Sequence, residues 1–165
     1  MAVSDVFSFP NPVNEVSARL VAGGAAVGAW VTVGTQWPWL LPFLTYGFIA
    51  RLASGPTLSP WGQIVTRVLV PHLPFQAKLI PGPPKRFAQG IGAVFTAAAT
   101  ILWFGLGLEL PALILVAFIG VAATLESVFA FCLGCQVFSI LMRVGIIPPT
   151  VCEACANFTV ARSPS

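Results

Sequence analysis

The sequence predicts an all-α membrane protein: a four-span transmembrane helical bundle with an interfacial amphipathic helix in its central loop. Three observations lead there. Of 165 residues only 8% are charged and 57% are hydrophobic, whereas about a quarter of a soluble domain is charged. Stretches long enough to cross about 30 Å of hydrocarbon recur along the chain. Most of the charges that do occur fall at or beyond the ends of those stretches, so the mean hydropathy of +0.91 is concentrated in the segments between them. With eight basic and five acidic side chains the surface of a soluble globule of this size could not be covered.

At the amino end, Asn11-Pro12 reads as a helix start, with Asn as cap, Pro in the first position and Glu15 in the first turn. Glu15 and Arg19 lie one turn apart and are expected to pair at the membrane surface. From Leu20 to Ala50 no charge occurs, too long for one crossing, and Gly34-Thr35-Gln36-Trp37-Pro38 divides it. The first span is placed at about 16–33 and the second at about 37–53. Gly24 and Gly28 form a small-x-x-x-small surface that lets a second helix come close, either within the chain or from another copy in a homo-oligomer. Trp37 and Trp39 suit an interfacial aromatic belt, Pro42 is expected to bend the second span, and Arg51 is expected to snorkel to the interface.

The proline-rich stretch from Ser54 to Pro84 is the longest loop. Inside it, Ser59-Pro60 repeats the cap signal, and Trp61, Ile64, Val65, Val68 and Leu69 follow at helical spacing opposite Gln63, Thr66 and Arg67. A helix this short suits the interface plane better than a crossing; it either covers the mouth of the bundle or senses lipid or gates a substrate. His72, at its end, reads as a surface residue. The third span is placed at about 87–108. After Glu109-Leu110-Pro111 an apolar stretch runs to Met142, longer than one crossing, and is divided into a fourth span at about 112–131 and a short helix after a break near Gly134. Residues 1–145 thus form the membrane domain and 146–165 a tail.

The eight basic residues, Arg19, Arg51, Arg67, Lys78, Lys85, Arg86, Arg143 and Arg162, occupy the amino end, the central loop and the carboxy end, and neither hairpin tip has one. The positive-inside rule then places both termini of a multi-pass bacterial plasma-membrane protein in the cytoplasm, against the lipid bilayer as its first partner. The net charge of +3 is accounted for by orientation, and no nucleic-acid role is read from it. No secretory signal peptide is recognised, and nucleotide-loop, zinc-protease and serine-hydrolase motifs are not found.

Chemistry concentrates in the cysteines. Cys132-Leu133-Gly134-Cys135 and Cys152-Glu153-Ala154-Cys155 are two C-x-x-C pairs 16 residues apart. That spacing fits a four-thiolate zinc site, with Pro148-Pro149 making the reversal. It equally fits thiol chemistry, in which C-x-x-C pairs near cations such as Arg143 have lowered thiol pKa values and relay electrons or a persulfide. An unbroken helix would put Leu125, Val128, Cys132, Cys135, Ser139 and Met142 on one face and turn Glu126 away from both thiols. Glu126 is the acid inside a span; such a group is costly in hydrocarbon and is expected to hydrogen-bond between helices, to pair with Arg51, or to handle protons or ions.

Three stretches together resemble one family: Pro10-Asn11-Pro12-Val13-Asn14-Glu15 with Arg19; Pro81-Gly82-Pro83-Pro84-Lys85-Arg86-Phe87-Ala88-Gln89-Gly90; and Phe131-Cys132-Leu133-Gly134-Cys135. They resemble the domain of unknown function 4395 family of bacterial membrane proteins, in a version similar to the actinobacterial one. The resemblance covers nearly the whole chain and implies a small polytopic membrane protein. It also implies neighbours among thioredoxin-like and sulfurtransferase proteins, and a first cysteine pair more typical than the second. The functional expectation is therefore a cytoplasmic-face thiol-disulfide or sulfur-transfer component, with Cys132 and Cys135 reactive and Cys152 and Cys155 as relay. The rival is a non-enzymatic docking module fastened by zinc on the same four cysteines, and a third reading is small-solute transport by an oligomer.

Overall fold

The computed structural model describes residues 9–76 and 78–152. Strand β1 (Val13–Asn14) leads into α1 (Glu15–Thr35), which a tight turn joins to α2 (Leu40–Ser54). Helix α3 covers 60–72, opening as Pro60–Ile64, widening into a π turn at Val65–Leu69 and ending as Val70–His72. After β2 (Leu79–Ile80) come α4 (Gly82–Gly105), whose last turn is again a π turn, then α5 (Glu109–Phe129), α6 (Leu133–Val144) and a 3-10 turn at Pro149–Val151.

The packing is that of a protein in lipid. Small residues fill the interior: Ala25, Ala26, Ala29, Ala93, Ala99, Ala112 and Ala123 form the core with Leu41, Phe48, Val116 and Ile119. Large apolar side chains point outward instead, among them Val27, Phe43, Val94, Ile101 and Phe118. Water would drive the reverse arrangement. In hydrocarbon, helices gain by close van der Waals approach, and small residues allow it. Interior hydroxyls are satisfied locally or across helices: Thr32 and Thr96 donate to the carbonyls of Gly28 and Gly92, both at 2.8 Å, and the Thr45 and Thr100 hydroxyls meet at 3.0 Å.

Three helices, α1, α4 and α5, are long and apolar enough to cross a membrane; 21 residues span about 31 Å at 1.5 Å each. Helix α2, placed in the sequence as the second span, has 15 residues, or about 22 Å. It packs chiefly on α4, as α1 does on α5.

Several local expectations shift. Asn14, not Asn11, caps α1, accepting from the Val16 N–H at 2.9 Å. Asn11 instead accepts from the Gly82 N–H at 3.1 Å and so serves the start of α4. Glu15 does not take Arg19, because β1 pairs antiparallel with β2, the Glu15 N–H bonds the Lys78 carbonyl at 2.8 Å, and Lys78 is thereby brought 2.9 Å from the Glu15 carboxylate. Arg19 turns to the end of α5 and donates to the carbonyls of Ser127 at 3.0 Å and Val128 at 2.9 Å, where unpaired carbonyls and the negative helix end favour a cation.

Ser59 caps α3 as the sequence suggests, accepting from the Gly62 N–H at 3.3 Å. The apolar face of α3 divides, however. Val65 is fully buried, while Ile64 and Val68 face outward. The Trp61 indole fills the hollow at Gly24, where a Cβ would lie 2.2 Å from Nε1, and Leu44 lies against Gly28. The small-residue surface of α1 is thus occupied from within the chain. His72 is exposed and its Nδ1 lies 2.6 Å from the Val68 carbonyl of its own helix.

Candidate functional site

The chemistry gathers where the last long apolar stretch breaks. Helix α5 ends at Ala130, which takes the left-handed conformation at φ 56°, four residues before the expected break. The chain turns and Cys132 becomes the N-cap of α6, its sulfur accepting from the Cys135 N–H at 3.4 Å. Cys132 is buried and Cys135 half-buried, both as free thiols. The turn lies directly on α4: a Cβ on Gly134 would be 2.6 Å from the Ala88 Cα and 2.5 Å from its Cβ, so only glycine permits this approach. Further along α6, Phe138 is buried and its ring meets that of Phe87, centroids 5.6 Å apart.

This break overturns the single-helix geometry that turned Glu126 away from the thiols. Glu126 and Cys132 line one cavity of about 230 Å³, together with Arg51, Gln89, Phe48 and Gly134. Glu126 is paired with Lys85 of α4 rather than with Arg51; the two side chains are 14% and 9% exposed. Arg51 does not snorkel. It is buried, lies 4.7 Å over the Phe48 ring, and donates from Nε to Gln89 Oε1 at 3.0 Å and from Nη1 to Ser59 Oγ at 3.3 Å.

Lys85 and Gln89 went unrecognised as site residues in the sequence because α4 was started at Phe87. The missed signal was Pro83-Pro84, which needs no backbone donors and opens a helix well. Begun at Gly82, that helix carries Lys85 and Gln89 one turn apart on one face.

The two thiols are driven apart. Cys132 is held below the ordinary thiol value, chiefly by the hydrogen bond from the Cys135 side chain, with help from the Lys85 ammonium and the Cys135 backbone N–H; burial and the Glu126 carboxylate oppose this. Cys135, as the donor to Cys132 and also buried, is pushed well above it. A helix N-terminus further favours the thiolate. Of the two, Cys132 is therefore the more readily ionised.

Of the second pair, Cys152 is buried and disulfide-bonded, and a disulfide sulfur is not the thiolate that zinc ligation uses. Cys155, most of the 146–165 tail and Arg162 lie outside the described residues. Arg143 falls in the last turn of α6, at the far end from the thiols.

A helical bundle of membrane-like apolar helices, in which one cysteine of a C-x-x-C pair caps a short helix beside a partly open, charge-bearing cavity, is the class these features define. A family model described as a domain of unknown function, DUF4395, matches residues 13–143, and the chain belongs to that family. No curated protein and no solved structure matches it.

Proposed function

We propose that the protein is a thiol-disulfide or sulfur-transfer component of the bacterial plasma membrane, a four-span bundle in which α2 is the fourth crossing, with both termini and the cysteines on the cytoplasmic side and α3 at the interface. The observation that carries this reading is the position of Cys132: capping α6, beside the Lys85–Glu126 pair, at the wall of a partly open cavity. In the exchange, the Cys132 thiolate attacks one sulfur of a partner's disulfide, displacing the other as a thiolate. Cys135, losing its proton, then attacks the Cys132 sulfur of the mixed disulfide. The partner leaves as a dithiol and a Cys132–Cys135 disulfide remains. Cys152 and Cys155, when reduced, serve as the relay that returns two electrons to the Cys132–Cys135 disulfide by the same exchange, becoming a disulfide themselves, and the partner is a thioredoxin-like or sulfurtransferase protein.

The test is alkylation of each cysteine by iodoacetamide across pH, followed by mass spectrometry of the purified full chain. Cys132 is expected to titrate below the roughly 8.5 of a free thiol and to react before Cys135, and Cys135→Ser is expected to trap a mixed disulfide on Cys132. Ordinary or slower reactivity at Cys132, or first reaction at Cys135, refutes the assignment.

A further inference from the structure

A second and larger hollow follows one side of α4. Arg86, Phe87, Gly90, Ile91, Val94 and Phe95 recur at i, i+1, i+4, i+5, i+8 and i+9, one continuous helical stripe, and line a groove of about 840 Å³. Leu52 of α2 and Phe138 of α6 flank it. Gly90 gives the groove its depth, since a Cβ there would meet nothing closer than Leu52 Cδ1 at 3.6 Å. The rise from Arg86 to Phe95 is about 14 Å at 1.5 Å per residue, close to the roughly 15 Å that is half of a hydrocarbon core of about 30 Å. Because α4 is long and apolar enough to cross a membrane, the groove has the length of one leaflet.

Its polar groups lie at one end. Arg86 is the one charged side chain among the described lining residues, and no carboxylate accompanies it. Its Nε donates to the Leu52 carbonyl at 3.1 Å, and its guanidinium lies 6.0 Å from the centroid of the Phe9 ring. Both terminal nitrogens are left without a protein acceptor among the described residues. Asn11 also lines this end; its Oδ1 takes the Gly82 N–H one turn before Arg86, which leaves the amide Nδ2 to point elsewhere. These donors stand at the N-terminal, positive end of a 24-residue helix.

We propose that the groove is a binding site for one anionic phospholipid, its phosphate held by the Arg86 guanidinium and the Asn11 amide and one acyl chain laid along α4 to Phe95. A trough that faces hydrocarbon gains contacts from any chain that fills it, so the apolar stripe selects no headgroup. Arg86 does, as basic pockets at the ends of membrane helices do for anionic lipids. Ile91 and Phe95 also line the thiol cavity, but the proposal requires nothing of the cysteines.

The full-length wild type, Arg86→Gln, Arg86→Lys and Arg67→Gln, delipidated in neutral detergent, are titrated with phosphatidylglycerol and with phosphatidylcholine of the same acyl chains, and bound lipid is counted by native mass spectrometry. The wild type is expected to hold one phosphatidylglycerol about fivefold or more tightly than phosphatidylcholine, the worth of one cation near the membrane surface. Arg86→Gln should lose most of that preference and Arg86→Lys should keep most of it. Arg67, exposed on α3 and outside the groove, is the control, and Arg67→Gln should bind as the wild type does. Gly90→Leu, which fills the groove, should weaken both lipids and leave their ratio. No preference in the wild type overturns the proposal, as does a preference that survives Arg86→Gln, one that falls equally in Arg67→Gln, or undiminished binding in Gly90→Leu. Dimers in place of bound lipid would make a second copy the occupant and overturn it too.

Discussion

The Lys85–Glu126 pair is open to a double-substitution cycle whose outcome burial decides. With the side chains 9% and 14% exposed, Lys85→Met leaves a carboxylate in low dielectric and Glu126→Gln leaves an ammonium there. Breaking a pair so enclosed costs about 3–5 kcal/mol. Removing both charges together strands neither, and such exchanges are often close to neutral. The coupling energy should then be about 3 kcal/mol or more, far above the 0.3–0.5 kcal/mol within which independent sites add. Reversible unfolding in mixed detergent micelles at pH 7, followed by helical circular dichroism, measures all four corners of the cycle. Single losses below about 1 kcal/mol that simply add would be the behaviour of a solvated surface pair and would refute the enclosed site. The same variants carry a second signature. Lys85 lowers the Cys132 pKa and Glu126 raises it, so the alkylation midpoint should rise in Lys85→Met and fall in Glu126→Gln. General loosening of the bundle would move both in one direction.

Two glycine substitutions test the packing that holds the site. Gly134→Ala forces the thiol turn off Ala88 and should cost about 1–3 kcal/mol, the usual range for overpacking, while moving the Cys132 alkylation midpoint back toward that of an ordinary thiol; an unchanged midpoint would show that contact with α4 does not set reactivity. Gly24→Ala drives a methyl into the rigid Trp61 indole and should cost a similar amount, about 1–3 kcal/mol. In the same unfolding assay Gly28→Ala should cost less, since it meets only the flexible end of Leu44, and Trp61→Leu should restore much of the Gly24→Ala loss.

What the sequence made legible was what short-range chemistry decides. The helical membrane class, the Ser59-Pro60 start, the turn at Gln36 and the existence of a short helix after α5 all follow from composition, caps and the width of a bilayer. What it hid was what distant segments decide. Asn11 has the right chemistry to satisfy a helix N–H and does so, but for Gly82 at the start of α4, 71 positions along the chain. Glu15 and Arg19 have ideal helical spacing, yet each finds a better partner through contacts that no local pattern encodes. Arg51 has the stem length to snorkel, and stays inside because Gln89, Ser59 and the Phe48 face are offered to it there. The cysteine pair was visible as a motif; that Glu126 shares its cavity depended on two residues of turn.

That turn also bears on the thiol proposed to be reactive. The apolar stretch from Ala112 to Met142 exceeds one crossing, so the surplus must fold back, and each end of the break exposes backbone groups. Arg19 answers the carbonyls ending α5. On the other side, Cys132 answers the N–H groups opening α6, a position more often held by Ser, Thr, Asp or Asn. Those residues would cap as well or better but bring no nucleophile. A sulfur placed there accepts hydrogen bonds and faces the positive end of a helix, the same conditions that favour its anion. The structural need to end one helix and begin another therefore also favours the anionic form of Cys132, to which Lys85 on the facing helix contributes.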